Sequence, residues 1–189
     1  MMPSNATLLI IDMQKAIDHP SWGQRNNLNA ENNISRLLSA WRLNAMPIIH
    51  IRHSSREEKS TYRPNQDGFE FKPEVQPNNG ERIITKNTNN AFINTELEAI
   101  FRRESITTLI ICGVITNNSV EATARMAGDL GYETFVVSDA TATFDKVDYF
   151  GNHRTAEEVH AMSLANLQGE YAMVTSTEEV LTRLLKRKS

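Results

Sequence analysis

Short apolar runs alternate with longer segments of helical period along this chain. Leu8-Leu9-Ile10-Ile11 is unbroken rather than alternating, the pattern of a strand buried on both faces of a parallel sheet. Pro47-Ile48-Ile49-His50-Ile51, Thr108-Leu109-Ile110-Ile111-Cys112 and Thr134-Phe135-Val136-Val137 repeat it, and Arg82-Ile83-Ile84-Thr85 and Tyr171-Ala172-Met173-Val174 do so more weakly. Between them Ile34, Leu37, Leu38, Trp41 and Ala45 recur at helical spacing, as do Leu97, Ile100 and Phe101. Val120, Ala124 and Ala127 mark a further helix that ends near Gly131. Thr155-x-x-Glu158 and Ser176-x-x-Glu179 are capping boxes that open two more. Strand–helix alternation of this kind predicts a three-layer α/β domain with a mostly parallel six-stranded sheet.

Two stretches break the rhythm. From Ser54 to about Gly80 the chain carries Pro64, Pro73, Pro77, Gly68 and Gly80 with mixed charge and no sustained period. A long irregular segment of this sort usually serves as a functional loop or lid. Thr141 to Arg154 is similar and shorter. No repeat, low-complexity tract or linker interrupts the sequence, so residues 1–189 read as one domain.

In an open parallel sheet, ligands bind beyond the carboxyl ends of the strands. Asp12 follows the first apolar run, Lys86 follows the run from Arg82 to Thr85, and Gly113 follows Cys112 before the turn Thr116-Asn117-Asn118-Ser119. A carboxylate, an ammonium and a hydroxyl are thereby expected on one edge of the sheet. Ser119 would open a helix, where free N–H groups and the dipole favour developing negative charge. Taken singly, each has an ordinary reading as well: Asp12 as a turn former, Lys86 as a surface charge, Ser119 as a first-turn residue.

Composition narrows the function classes. Twenty Lys and Arg against 23 Asp and Glu give a net charge of -3, without the basic footprint of a nucleic-acid binder. The amino terminus has no basic n-region and reaches a charge soon after its apolar stretch, so it reads as neither signal peptide nor membrane span. The single cysteine, Cys112, excludes an intrachain disulfide and suits a reducing cytoplasm.

Gly113-x-x-Thr116-x-x-Ser119-Val120-x-x-Thr123-x-Arg125, followed by Asp129-Leu130-Gly131-Tyr132 and Ser138-Asp139-Ala140-Thr141, resembles the isochorismatase-like cysteine hydrolases. Leu9-Ile10-Ile11-Asp12-Met13-Gln14 and Lys86-x-x-x-Asn90-Ala91-Phe92 match the other two signatures of that family in order. His160-x-x-Ser163-Leu164-Ala165 and Tyr171-Ala172 are similar to its amidase or streptothricin-hydrolase-like subgroup. The likeness runs from Ala6 to about Thr177. It implies a Rossmann-like sheet and an Asp-Lys-Cys triad that hydrolyses carbon–nitrogen bonds of small molecules. Asp12 then matches the general base, Lys86 the supporting cation, and Ser119 the nucleophile position. It further implies a cis peptide at Val114-Ile115 and an oxyanion hole from the N–H groups of Ile115 and Ser119. Neither a cofactor nor a membrane or nucleic-acid partner is implied; a homo-oligomer, dimer or tetramer, is.

At position 119 the family has cysteine and this chain has serine. A serine hydroxyl is far harder to ionise than a thiol, whose reference pKa lies near 8.5. Three explanations stand: a Cys-to-Ser change that inactivates an amidohydrolase, a vinyl-ether hydrolase of the isochorismatase type that needs no covalent nucleophile, or a non-catalytic binding relative. Under the first, the chain with Ser119 is expected to be inactive or nearly so. Cys112 ends an apolar strand and reads as core.

No Asp-x-His occurs, and His50 and His53 fall on opposite sides of a strand, so no metal is expected. Phe92, Trp22, Phe69 and His53 are the candidates for the substrate pocket, the last three from loops or strand ends near the predicted site. His160, early in a capped helix, is assigned a structural or interface role.

Overall fold

The computed structural model describes residues 2–186. The six apolar runs form one sheet: β1 (Thr7–Ile11), β2 (Ile48–His53), β3 (Arg82–Lys86), β4 (Thr108–Val114), β5 (Glu133–Ala142) and, after a small hairpin, β8 (Met173–Thr175). Their spatial order is β3-β2-β1-β4-β5-β8, and every neighbouring pair is parallel. The helices are α1 (Ala30–Leu43), α2 (Leu97–Arg103), α3 (Glu121–Asp129), α4 (Ala156–Leu167) and α5 (Thr177–Leu185). Both predicted capping boxes are made, at Thr155 with Glu158 and at Ser176 with Glu179.

Each run is unbroken because each face of the sheet has its own core. In β1 all five residues are buried, and alternate side chains leave in opposite directions. Leu8 and Ile10 join Ile34, Leu37, Leu38 and Trp41 of α1 and Val180 and Leu184 of α5. Leu9 and Ile11 join Leu97, Ile100 and Phe101 of α2, Ala124 and Ala127 of α3 and Leu167 of α4. The result is three layers, helix on sheet on helix.

Strand order reverses between β1 and β4, because β2 and β3 extend the sheet to one side and β5 and β8 to the other. That reversal opens a crevice at the carboxyl ends of β1 and β4. Close approach of these two strands is enforced at Gly113, paired with Ile11. Its φ is 114°, and a Cβ there would stand 2.1 Å from the Ile11 carbonyl oxygen.

Some boundaries differ from the pattern in the sequence. β5 runs to Ala142, past the expected stop at Val137, because the register shifts between Ile111 and Gly113 and lets Thr141 and Ala142 pair with Gly113 and Val114. The stretch expected to be irregular after Thr141 contains a two-residue-per-strand hairpin, β6 (Lys146–Val147) and β7 (His153–Arg154). The long loop from Ser54 to Gly80 holds only single 3-10 turns, at Asp67–Phe69 and Pro73–Val75. No helix among the described residues is long and apolar enough to cross a membrane.

Candidate active site

Asp12 is the first residue beyond β1 and adopts φ 52°, in the left-handed region that Asp tolerates better than most residues. Its N–H donates to the Ile51 carbonyl at 3.0 Å, and its own carbonyl accepts from the Gln14 N–H at 2.8 Å. Gln14 is fully buried and acts as a clamp. Its amide donates to the carbonyls of His53 and Phe69, each at 3.0 Å, and accepts from the His53 N–H at 2.7 Å. Lys86 ends β3 opposite His53, the last residue of β2. Ser119 lies in a π-type turn, Thr116–Val120, that carries the chain from β4 into α3. The Val114–Ile115 peptide just before that turn is cis.

These three strand ends converge on the Lys86 ammonium. Its Nζ donates to Asp12 Oδ2 at 2.7 Å and to Ser119 Oγ at 3.2 Å. It also donates to the Thr88 carbonyl at 3.1 Å and lies 3.3 Å from His53 Nδ1. An ammonium has three protons, so four neighbours compete for them. The Lys86 side chain is fully buried and that of Asp12 is 5% exposed, which makes this a buried ion pair and not a surface one. Asp12 Oδ1 has no hydrogen-bond partner among the described residues, although it is buried. Asp12 and Ser119 do not hydrogen-bond directly; Lys86 connects them.

The residues after Lys86 shape the turn that offers Thr88 to it. The Thr88 hydroxyl donates to the Asn90 carbonyl at 2.8 Å, and the Asn90 side chain accepts from the Phe92 N–H at 2.9 Å. The Ala91 N–H donates to Thr123 Oγ1 of α3 at 3.1 Å, tying this turn to the helix that follows Ser119. Burial and the Lys86 charge hold His53 below the usual histidine range against the pull of Asp12. A neutral imidazole is the form that can sit 3.3 Å from an ammonium.

Asp12, His53 and Ser119 open into a cavity of about 230 Å³ whose other walls include Trp22, Tyr62, Glu57 and Asn118. Trp22 and His53 were expected in the pocket and stand in its wall. Phe92 is elsewhere: it packs edge-on against Phe101 and stacked on Tyr132, centroids 5.9 and 6.1 Å apart, in the core behind the site. Phe69 is also outside the wall, its ring lying under the Arg52 guanidinium at 4.6 Å, though its carbonyl is held by Gln14. Both were drawn to the pocket by position in sequence, and both find apolar or cationic partners outside it.

Tyr62, Ser55, Ser60 and Glu57 enter from the long irregular loop. Tyr62 is buried, donates to the Asp12 carbonyl at 3.3 Å and stands edge-on to both Trp22 and His53. No periodicity singles it out, and nothing in the sequence separates it from Phe69 and Phe71 of the same loop. Asn118 borders the cavity, whereas Asn117 is engaged by the Thr143 hydroxyl at 2.6 Å.

Cys112 is fully buried, and burial pushes its thiol well up, the environment of an inert core residue. His50 is turned to Glu81 at 2.9 Å on the far side of the strand from His53. His160 hydrogen-bonds Thr116 Oγ1 at 2.9 Å and so buttresses the turn that carries Ser119. Among the described residues no three His, Cys, Asp or Glu side chains are grouped to hold a metal ion.

Comparison with known proteins identifies the family and the fold. A family model of the isochorismatase domain matches residues 6–179. An uncharacterized isochorismatase family protein of Bacillus subtilis, YrdC, is 40% identical over 185 residues, covering 98% of this chain and 99% of that one. The crystal structure of an isochorismatase-family protein from Chromobacterium violaceum superposes with a TM-score of 0.96 at 52% identity, covering 98% of this chain and 96% of the other. Nicotinamidase 3 of Arabidopsis thaliana is 28% identical over 193 residues, 95% of this chain and 89% of its own.

Proposed function

The chain belongs to the isochorismatase family of hydrolases, and from that premise we propose that it acts on a small-molecule amide or related carbon–nitrogen bond at the Asp12–Lys86–Ser119 cluster. The observation that carries this reading is the shared ammonium: one Lys86 Nζ lies 2.7 Å from Asp12 and 3.2 Å from Ser119, with the second oxygen of Asp12 unpartnered beside an open cavity. Such a carboxylate can take and return a proton. Lys86 lowers the energy of negative charge on the atom at position 119.

In the proposed reaction, the side chain at position 119 gives its proton to Asp12 and attacks the amide carbonyl carbon. The resulting oxyanion is received by the N–H groups of Ile115 and Ser119. Collapse expels the amine, which takes the proton from Asp12. Water, deprotonated in turn by Asp12, then attacks the acyl carbon, and the departing side chain at position 119 takes that proton back from Asp12 as the acid is released. With cysteine at position 119 the nucleophile would be a thiolate; the serine present here makes the first proton transfer far harder, so the chain as written is proposed to be nearly inactive. Nicotinamidase 3, whose name describes an amide hydrolase, supports carbon–nitrogen chemistry in a relative of this length.

The test is a comparison of the chain with its Ser119→Cys variant on a panel of small primary amides, following released ammonia. A gain of several orders of magnitude with cysteine is expected. Cleavage of isochorismate by the unaltered chain would instead select the vinyl-ether reading. Tight small-molecule binding with no turnover in either form would select a binding relative.

We also propose a homo-oligomer, dimer or tetramer. Tyr149 and Phe150 at the hairpin tip are 96% and 84% exposed, and Met162 on the adjacent face of α4 is 65% exposed. A contiguous apolar surface of this kind usually marks an interface. The single cysteine supports a reducing, cytoplasmic setting.

A further inference from the structure

The cavity beside Ser119 has a charge sign of its own. Asp12 and Lys86 neutralise each other, which leaves the Glu57 carboxylate as the one net charge among the wall residues. Glu57 is exposed and makes no ion pair among the described residues. None of the cations of the surrounding loops lines the cavity. Arg25 is forked onto Glu31 at 2.7 and 2.9 Å, Arg52 lies over Phe69, and Arg56 lies against the Asn87 amide. Lys15 is paired with Asp67 at 2.6 Å, and Arg63 donates to the Glu58 carbonyl. Lys59, exposed on the same loop, has no ion pair among the described residues, but neither it nor any other Lys or Arg stands in the cavity wall to receive a substrate carboxylate.

The remaining walls suit a cation. Trp22, Tyr62 and His53 bring ring surfaces to the same space, and aromatic faces attract ammonium groups. The volume is small as well. A cavity of about 230 Å³ corresponds to roughly eight water volumes, well short of a drug-sized ligand.

We propose that the site takes a small amide carrying a positive charge at the end remote from the amide and discriminates against anionic amides, with Glu57 setting that preference. This rests on the amide-hydrolase reading above only for the amide group; the charge order follows from the walls. A substrate with two carboxylates, such as a vinyl-ether acid, would meet Glu57 with no compensating cation in the cavity wall.

Three amides of similar length test it: 3-aminopropanamide, butanamide and succinamate, titrated at millimolar concentration into the unaltered full chain. The indole N–H resonance of Trp22 reports the cavity. That of Trp41, which is fully buried and donates to the Ala6 carbonyl, serves as the internal control. The expected order is 3-aminopropanamide tightest, butanamide intermediate and succinamate weakest, with about a tenfold span between the ends, the scale of one screened charge contact. Glu57→Gln should reduce the span to about threefold or less, and Glu57→Lys should reverse it; both are surface changes. Half-molar salt should shrink the span in the unaltered chain.

Equal or tighter binding of succinamate, an unchanged span in Glu57→Gln, or no Trp22 response to any of the three would overturn the proposal. Turnover by Ser119→Cys is read separately. If that variant hydrolyses no amide while the binding order holds, the hydrolase reading fails alone. If it hydrolyses amides with succinamate preferred, the charge inference fails alone.

Discussion

Replacing Lys86 with methionine should destabilise the fold more than replacing Asp12 with asparagine, and making both changes should restore most of the loss. The two charges stand 2.7 Å apart with almost no solvent contact. At an effective dielectric of about 20 their attraction is about 6 kcal/mol, opposed by the desolvation of both. Without Lys86, Asp12 Oδ2 loses its ammonium and Oδ1 already has no partner, leaving a buried carboxylate with no side-chain or backbone donor. Lys86→Met should therefore lie at the upper end of what breaking a buried pair costs, about 3–5 kcal/mol. In Asp12→Asn the ammonium still has the Thr88 carbonyl, Ser119 Oγ and the oxygen of the introduced amide, so the loss should be about 1–3 kcal/mol. The double variant, an uncharged pair of similar volume, should fall within about 1–2 kcal/mol of the parent. Urea unfolding followed by tryptophan fluorescence reads all four proteins, provided the m-values agree. Additive losses, a Lys86→Met effect below about 1 kcal/mol, or a larger loss for Asp12→Asn would refute the reasoning.

Gly113→Ala should lose about 2–5 kcal/mol, combining the positive-φ penalty with overpacking against the backbone of Ile11. Gly131→Ala, where φ is +86° and nothing lies within 4 Å of the Cβ position, should lose only the conformational part, about 1–2 kcal/mol, and equal melts for the two would discount the steric contact. Burial pushes the Glu81 carboxyl up, but the Arg42 guanidinium, the Asn78 N–H and His50 outweigh it and hold the group at about 2, against an ordinary 4.5. A depressed carboxyl contributes stability above its unfolded value and loses it as pH falls from about 4.5 to about 2, so Glu81→Gln should flatten the acid limb in that window; an unchanged limb in urea melts at stepped pH would count against this assignment. Replacing both Tyr149 and Phe150 with serine should lower the solution mass measured by light scattering towards the 21.4 kDa of one chain, and a parent that already runs at that mass would remove the interface proposal.

Much of the architecture is written in local chemistry. Runs such as Leu8–Ile11 must bury both faces, and only a sheet between two helical layers provides that, so strand identity and the layer count follow from composition alone. The strand ends were legible for the same reason: a charged residue directly after such a run stands at the sheet edge, as Asp12 and Lys86 do. Contacts made across long sequence separations were not. Tyr62 reaches the Asp12 carbonyl from a loop with no period, and that loop is held by bonds from distant residues, Gln14 to Phe69, Lys15 to Glu70 and Lys72 to Met13. Phe92 and Phe69 show the converse. An aromatic near a signature reads as a pocket wall, yet which way it turns depends on whether Tyr132 or Arg52 is waiting beside it. The extension of β5 to Ala142 depends on a register shift against β4 that neither strand encodes by itself.

Lys86 has fewer protons than neighbours asking for them. One neighbour must always go without, and which one is decided by small differences among Asp12, His53, Thr88 and Ser119. The ammonium is thus a point of exchange, where a change at one acceptor is felt at another that it never touches. A molecule that draws His53 away would hand its share to Ser119, and one that engages Ser119 would return a share to His53. Information about occupancy can cross the cavity by redistribution of three hydrogen bonds, with no backbone movement at all.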